Sequence, residues 1–235
     1  VLIFAVLILF ILLMIYAIIP YMLSTWAGVG AFKKGKRENE IAFTFDDGPD
    51  PIYTPELLDL LKAHRVKATF FVVGERAERY PALIKRMHEE GHLIGVHNYI
   101  HHCNWLMYPW TIKKGLDRSA NIIEGIIGEK PKFYRPPWGM MNIFDFVIHP
   151  RFHTILWSLM VGDWKSKGGA EKRVRGILNN VKSGDIILLH DCGETWGADE
   201  DAPHYTIEGL KIVLQEVHSR GYHCVRIDEM MNHHF

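Results

Sequence analysis

The chain of 235 residues predicts an α/β fold: a distorted or incomplete (β/α) barrel, preceded by an N-terminal transmembrane helix. Three observations predict it. Strand-like and helix-like stretches alternate from Ile41 onward, about seven times, as in a single barrel of roughly 200–250 residues. The strand-like runs are almost continuously apolar, which suits a parallel sheet buried under helices. The chain opens on an uncharged apolar run long enough to cross a bilayer. An open, doubly wound sheet is the alternative architecture.

Val1 to Ile19 is apolar apart from Tyr16, and Pro20, Tyr21 and Trp26 follow. Tyr16, Tyr21 and Trp26 suit the aromatic belt at a membrane interface. The expected organisation is an anchor over 1–23, a tether over 24–40 and a catalytic domain over 41–235. A cleaved signal peptide is the main rival, with Ala27-Gly28-Val29-Gly30-Ala31 as small residues near a cleavage point. A buried core helix is the other, disfavoured because the run has no polar face. Lys33, Lys34, Lys36 and Arg37 follow the segment, and by the positive-inside rule alone would hold the domain in the cytoplasm. The domain is nevertheless expected outside the cell membrane, on a single-pass protein.

The expected strands are Ile41–Phe45, Ala68–Val73, His92–Val96, Lys132–Tyr134, His153–Leu159, Asp185–Leu189 and Tyr222–Ile227. Between them lie helices. Thr54 as N-cap and Pro55 at the first helical position open Pro55–His64, whose leucines form a buried stripe. Glu75–Glu90 stops at Gly91, Trp110–Ile127 at Gly128 and Tyr205–Arg220 at Gly221. Gly169–Val181 completes the set, with a shorter stretch at Ile143–Pro150.

Charge and cysteine usage narrow the function. Lysine plus arginine and aspartate plus glutamate balance at 27 each, and no basic face for nucleic acid is visible. Cys103, Cys192 and Cys224 are odd in number and far apart, so they read as free or buried thiols. Fourteen histidines raise the prospect of a metal or hydrolytic site.

Ionisable residues gather where strands end, the rim at which (β/α) barrels carry active sites. Asp46-Asp47-Gly48-Pro49 follows the first strand. Adjacent carboxylates at a buried strand end repel each other unless a cation compensates them, although the tetrapeptide is also good turn chemistry. His97 and His101 follow the third strand at a spacing that converges on a metal if the segment turns helically, with His102 as a competitor. Asp47, His97 and His101 would supply three ligands and leave a position open, as catalytic zinc sites do. Arg135-Pro136-Pro137-Trp138-Gly139 follows the fourth strand. Arg135 could neutralise a site carboxylate or form a surface ion pair, and the prolines leave the Trp138 N–H free to face a ligand. Asp163-Trp164 lies past the fifth strand. His190 ends the sixth, either at the rim or as a core histidine.

These residues resemble the polysaccharide deacetylases, carbohydrate esterase family four. The resemblance runs from about Ile41 to Met230. It rests on Thr44-Phe45-Asp46-Asp47-Gly48-Pro49, on Gly91 to His97 with His101, on Arg135 to Gly139, on Trp157-Ser158 with Asp163-Trp164, and on Leu188-Leu189-His190. It implies a metal-dependent hydrolase that removes N-acetyl groups from an aminosugar polymer such as peptidoglycan or chitin and releases acetate. It implies Asp46 as general base, Asp47, His97 and His101 as ligands of Zn2+ (Co2+ suits the same set), and Arg135 orienting Asp46. It further implies the Trp138 N–H at the oxyanion, His190 as general acid, and Asp163 tuning His190. Three departures stand out: Asn98 where Ser or Thr is usual, Met160 where Asp is common, and the segment Asp191 to His204, which should shape a local substrate preference. The alternatives are an O-acetyl esterase on a xylan-like polymer and a non-catalytic, membrane-tethered glycan-binding domain. Trp105, Tyr108, Trp110, Trp138 and Trp196 are candidates for a sugar-stacking groove or for core.

Overall fold

In the computed structural model, which describes residues 1–147 and 151–232, eight short parallel strands form one curled sheet with helices outside it. The strands are β1 (Glu40–Asp46), β2 (Thr69–Val72), β3 (Leu93–Val96), β4 (Phe133–Tyr134), β5 (His153–Thr154), β6 (Leu159–Met160), β7 (Ile186–His190) and β8 (His223–Cys224). Their order is β5-β4-β3-β2-β1-β7-β6, with β8 beside the start of β1. β1 is central and buried along its whole length. It pairs with β2 on one side and β7 on the other, in a register that sets Asp46 level with Phe71 and His190. The pairing thus delivers the ends of two functional strands to the same height. The path does not close among the described residues, so the architecture is an incomplete barrel.

The helices are α3 (Tyr53–Ala63), α4 (Gly74–Arg79), α5 (Pro81–Glu89), α6 (Pro109–Ile127), α7 (Ile143–Val147), α8 (Gly169–Leu178), α9 (Ala202–Ser219) and α10 (Ile227–Asn232). They bury apolar stripes against the sheet: Leu57, Leu58 and Leu61 from α3, Leu116, Ala120 and Ile123 from α6, and Leu210, Val213 and Val217 from α9. Each fully buried aliphatic or aromatic side chain contributes roughly 1.5–3 kcal/mol, and these contacts hold the strand ends in place.

Several boundaries differ from expectation, each for a local reason. The run His153–Leu159 is not one strand. The Arg135 guanidinium takes the carbonyls of Ile155 and Leu156, which are then lost to a sheet ladder. Glu75–Glu90 is two helices, broken at Tyr80 because Pro81 has no N–H to continue the first. Thr54 lies inside α3 rather than capping it. Asp50 does that work, its carboxylate accepting the N–H groups of Ile52 and Tyr53. The Thr54 hydroxyl instead accepts from the Asp50 N–H and donates to Asp191. Of Ile143–Pro150, Ile143–Val147 is helical and the remainder lies outside the described residues, as do the last three residues of the expected catalytic domain.

The N-terminal apolar run is helical from Leu2 to Ala27, as α1 (Leu2–Leu13), a π-helical turn (Met14–Ile18) and α2 (Ile19–Ala27). No residue of α1 is buried, whereas Ala17, Pro20 and Ser24 are buried against the domain. The segment expected as a tether also takes part in the fold. Phe32 bonds to Thr154 and Leu156 beside β5, and Gly35 to Gly184 before β7, so the segment bridges these two parts of the curled sheet. Lys34 pairs with Asp185 at 2.9 Å and Arg37 with Glu40 at 3.1 Å.

Candidate active site

The end of β1 and the residue after it aim two adjacent carboxylates into one cavity. Asp46 is the final strand residue, and Asp47 turns the chain with φ 77°. Gly48 then passes so close to the Asp191 carboxylate that a Cβ at this position would collide with both its oxygens. The turn reading and the chemical reading of Asp-Asp-Gly-Pro are therefore one feature: the turn is what presents the carboxylates.

Asp47, His97 and His101 converge, with one donor atom from each lying within 4.8 Å of the others. Asp47 Oδ1 stands 3.3 Å from His97 Nε2 and 3.2 Å from His101 Nε2. The helical turn expected between the two histidines is absent. Asn98 carries the chain through φ 60°, a left-handed conformation that Asn tolerates better than Ser or Thr. Its side chain is tied down, donating to Asn104 Oδ1 at 2.8 Å and accepting from the Tyr134 hydroxyl at 3.0 Å. The departure at Asn98 thus has a backbone reason, and the loop it shapes is what brings His101 back to His97.

These residues fit a divalent cation. His97 Nδ1 donates to the Arg135 carbonyl at 2.7 Å, which leaves the Nε2 lone pair facing Asp47. Burial holds the His101 imidazole down to about 4, Asp47 opposing, so that ring is neutral near pH 7. Burial acts to raise the Asp47 carboxyl, but His97, His101 and His190 outweigh it and hold it well below its usual range. Asp47 Oδ1 is buried and has no hydrogen-bond partner among the described residues. A carboxylate oxygen and imidazole lone pairs facing one another in a buried spot repel unless a cation lies between them.

Asp46 lies on the other side of the cluster, its Oδ2 4.0 Å from His97 Nε2. Its Oδ1 accepts from Arg135 Nη1 at 2.6 Å. Arg135 is fully buried, so this is no surface ion pair. Burial pulls the guanidinium down from its ordinary range and Asp46 opposes that shift. Thr44 and the carbonyls of Ile155 and Leu156 take three of its other four N–H donors.

His190 faces this group from the end of β7. Burial disfavours its charged form, but Asp163, with Asp47 and Asp46, outweighs that and holds the imidazole up to about 10. Trp138 sits in a left-handed turn with φ 55°, its ring against His101 at 4.3 Å between centroids. A cavity of about 300 Å³ joins Asp46, Asp47, His97, His101, Trp138 and His190. Asp46, Asp47, His97, His101, Trp138 and His190 therefore meet in one cavity, with Arg135 and Asp163 behind it, whereas the competitor His102 is not among the lining residues.

The sugar-stacking candidates divide. Trp138 and Trp196 line the cavity with Trp157 and Trp164. Trp105 packs on Tyr21 and donates to the Met141 carbonyl, while Tyr108 and Trp110 stack on each other on the exposed surface. Three contributors were not expected at the site. Thr195 donates to Asp47 Oδ2 at 2.7 Å from the loop Asp191 to His204. Thr206 donates to Asp163. Tyr21, from the N-terminal helix, lines the cavity.

Known proteins resemble this chain over most of its length. The family described as polysaccharide deacetylase matches residues 33–143. A peptidoglycan-N-acetylglucosamine deacetylase of Bacillus cereus is 36% identical over 200 residues, which cover 83% of this chain and 90% of that protein. The crystal structure of the Bc1960 peptidoglycan N-acetylglucosamine deacetylase superposes with a TM-score of 0.80 at 31% identity, covering 88% of this chain and 95% of the other. A family 4 acetyl xylan esterase from Clostridium thermocellum, solved with a cobalt ion, gives 0.74 at 36% identity over 82% and 90% of the two chains. On its strand order, its strand-end residues and these relatives, the chain belongs to the polysaccharide deacetylase family.

Proposed function

We propose that this protein is a membrane-anchored, zinc-dependent deacetylase that removes acetyl groups from N-acetylglucosamine units of cell-wall peptidoglycan, with its domain outside the cell. The observation that carries the reading is the convergence of Asp47, His97 and His101 in a cavity that also holds Asp46 and His190. The relatives named above supply the substrate class.

Asp47, His97 and His101 would hold the Zn2+. The ion, when bound, supplies Lewis acidity that polarises the acetamide carbonyl and makes a nearby water more acidic. Asp46 takes the proton from the attacking water, its position fixed by Arg135. The Trp138 N–H faces the carbonyl oxygen as negative charge develops there, and one such donor is worth about 3–4 kcal/mol in other hydrolases. His190, kept protonated by Asp163, gives its proton to the leaving nitrogen, so acetate and a free amine leave. The N-terminal helix, 26 residues long and uncharged, anchors the chain.

The same groups would cleave an O-acetyl ester, and the likeness to an acetyl xylan esterase favours testing that reaction beside the first. Acetate release from peptidoglycan, from N-acetylglucosamine oligomers and from acetylated xylan, each with and without chelator, tests the reading. It predicts chelator-sensitive release that is fastest on the N-acetylated substrates. Release unaffected by chelator, or none from any of the three, would overturn it.

A further inference from the structure

The N-terminal helix does more than leave the domain on a free stalk. Its second half has two faces. Ala17, Pro20 and Ser24 are buried against the domain, while Ile15, Ile19 and Leu23, on the opposite side, remain 43–48% exposed. The outer face therefore stays apolar beyond the point where the domain begins. The attachment is specific. The Tyr16 hydroxyl donates to the Met107 carbonyl at 2.8 Å and accepts from the Asn142 amide at 3.2 Å. The Tyr16 ring packs edge-on against Phe144 at 5.9 Å, and the Tyr21 ring against Trp105 at 5.5 Å.

The chain on either side of Met107 is apolar and uncovered. Leu106 is 89% exposed, and Tyr108 and Trp110 are 66% exposed each. Tyr108 and Trp110 stack at 4.7 Å with their planes 6° apart. Aromatic side chains beside a membrane-crossing helix are the usual furniture of the headgroup layer. Their carrier segment is hydrogen-bonded to the anchor at Tyr16, near the level where α1 leaves the domain.

We infer that Leu106, Tyr108 and Trp110 form a docking surface for the lipid bilayer interface, which holds the mouth of the catalytic cavity at the headgroup surface. This rests on reading the helix as a membrane anchor. Tyr21, which lines the cavity, is five residues beyond Tyr16, about 7.5 Å along the helix axis. The headgroup layer on each side of a bilayer is roughly 5–8 Å thick. With Tyr16 and the Leu106–Trp110 segment at its inner edge, the cavity opens near its outer edge. The glycan it accepts then lies along the membrane rather than at a distance from it, and the helix that anchors the protein also forms part of the substrate wall.

The test uses the full chain in phosphatidylcholine vesicles whose acyl chains carry bromine at carbons 6 and 7, which quenches tryptophan close to the headgroup boundary. Vesicle flotation after an alkaline wash reports the anchor separately. The expected result is that the chain floats, that Trp110→Phe lowers the quenched fraction of the emission, and that Trp196→Phe does not lower it. A variant with Leu106→Glu, Tyr108→Glu and Trp110→Glu should still release acetate from soluble N-acetylglucosamine oligomers while showing the same loss of quenching. A chain that floats but whose quenching is indifferent to Trp110→Phe would overturn the docking surface and leave the anchor standing. A chain that does not float would overturn both.

Discussion

Asp163 grips His190 at two points: the imidazole Nδ1–H donates to Oδ1 at 3.0 Å, and the His190 backbone N–H donates to Oδ2 at 2.8 Å. The double contact fixes the ring and leaves Nε2 as the nitrogen available to the cavity. Thr206 donates to the same carboxylate at 3.3 Å and holds it in turn.

This grip sets a pH dependence. Asp163 is the chief opponent of the burial that would discharge His190. Removing its charge lets the imidazolium lose its proton more easily. Asp163→Asn should therefore move the alkaline limb of the kcat profile to lower pH, with the wild-type limb set by a group raised above the ordinary histidine value. Acetate release measured across pH 6 to 10 checks it. An unmoved limb would mean that His190 is not the acid.

The same pair affects stability. The folded His190 value of about 10 lies above the ordinary value near 6.5, so folding favours the protonated form. Its stabilisation is fully present below about pH 6.5 and is lost as pH rises toward 10. With chelator present, the thermal midpoint of the wild type should fall over this window, and His190→Gln should flatten the fall. Parallel curves for the two proteins would contradict the linkage.

Arg135 and Asp46 are both buried, and the ion pair between them is 2.6 Å long. Arg135→Met would strand the Asp46 charge, a loss of about 3–5 kcal/mol in comparable buried pairs. Asp46→Asn should cost less, because the guanidinium keeps Thr44, Ile155 and Leu156 as acceptors. Urea unfolding of the two variants checks the asymmetry.

Thr195 braces Asp47 from the loop that follows β7. Loss of such a partner behind a metal ligand typically weakens metal binding 10–100-fold. Thr195→Val should do so and Thr195→Ser should not, as read by competition with a chromophoric chelator.

What could be read from the chain, and what could not, follows from range. Asp46, His97, Arg135 and His190 stand directly after apolar runs, so their places at the rim follow from local pattern. Asp47 and His101 meet only because Asp47 and Asn98 adopt left-handed backbone, which residue spacing does not encode. Thr195 sits 148 residues from Asp47 in an ordinary loop, and its partner is set by tertiary packing alone. The break in the run His153–Leu159 is caused by Arg135, twenty residues upstream. The apolar N-terminus reads as a uniform membrane run, because small residues such as Ala17 and Ser24 mark a packing face only once the partner is known.

The proposed mechanism divides its labour between residues that hold a cation and residues that move protons. The most direct measurement takes Asp46→Asn, His190→Ala and His97→Ala, and determines metal content and acetate release for each. The first two variants should each keep one bound metal and lose acetate release, and the third should lose both. A loss of metal on Asp46→Asn or His190→Ala, or acetate release that survives His97→Ala, would overturn this division.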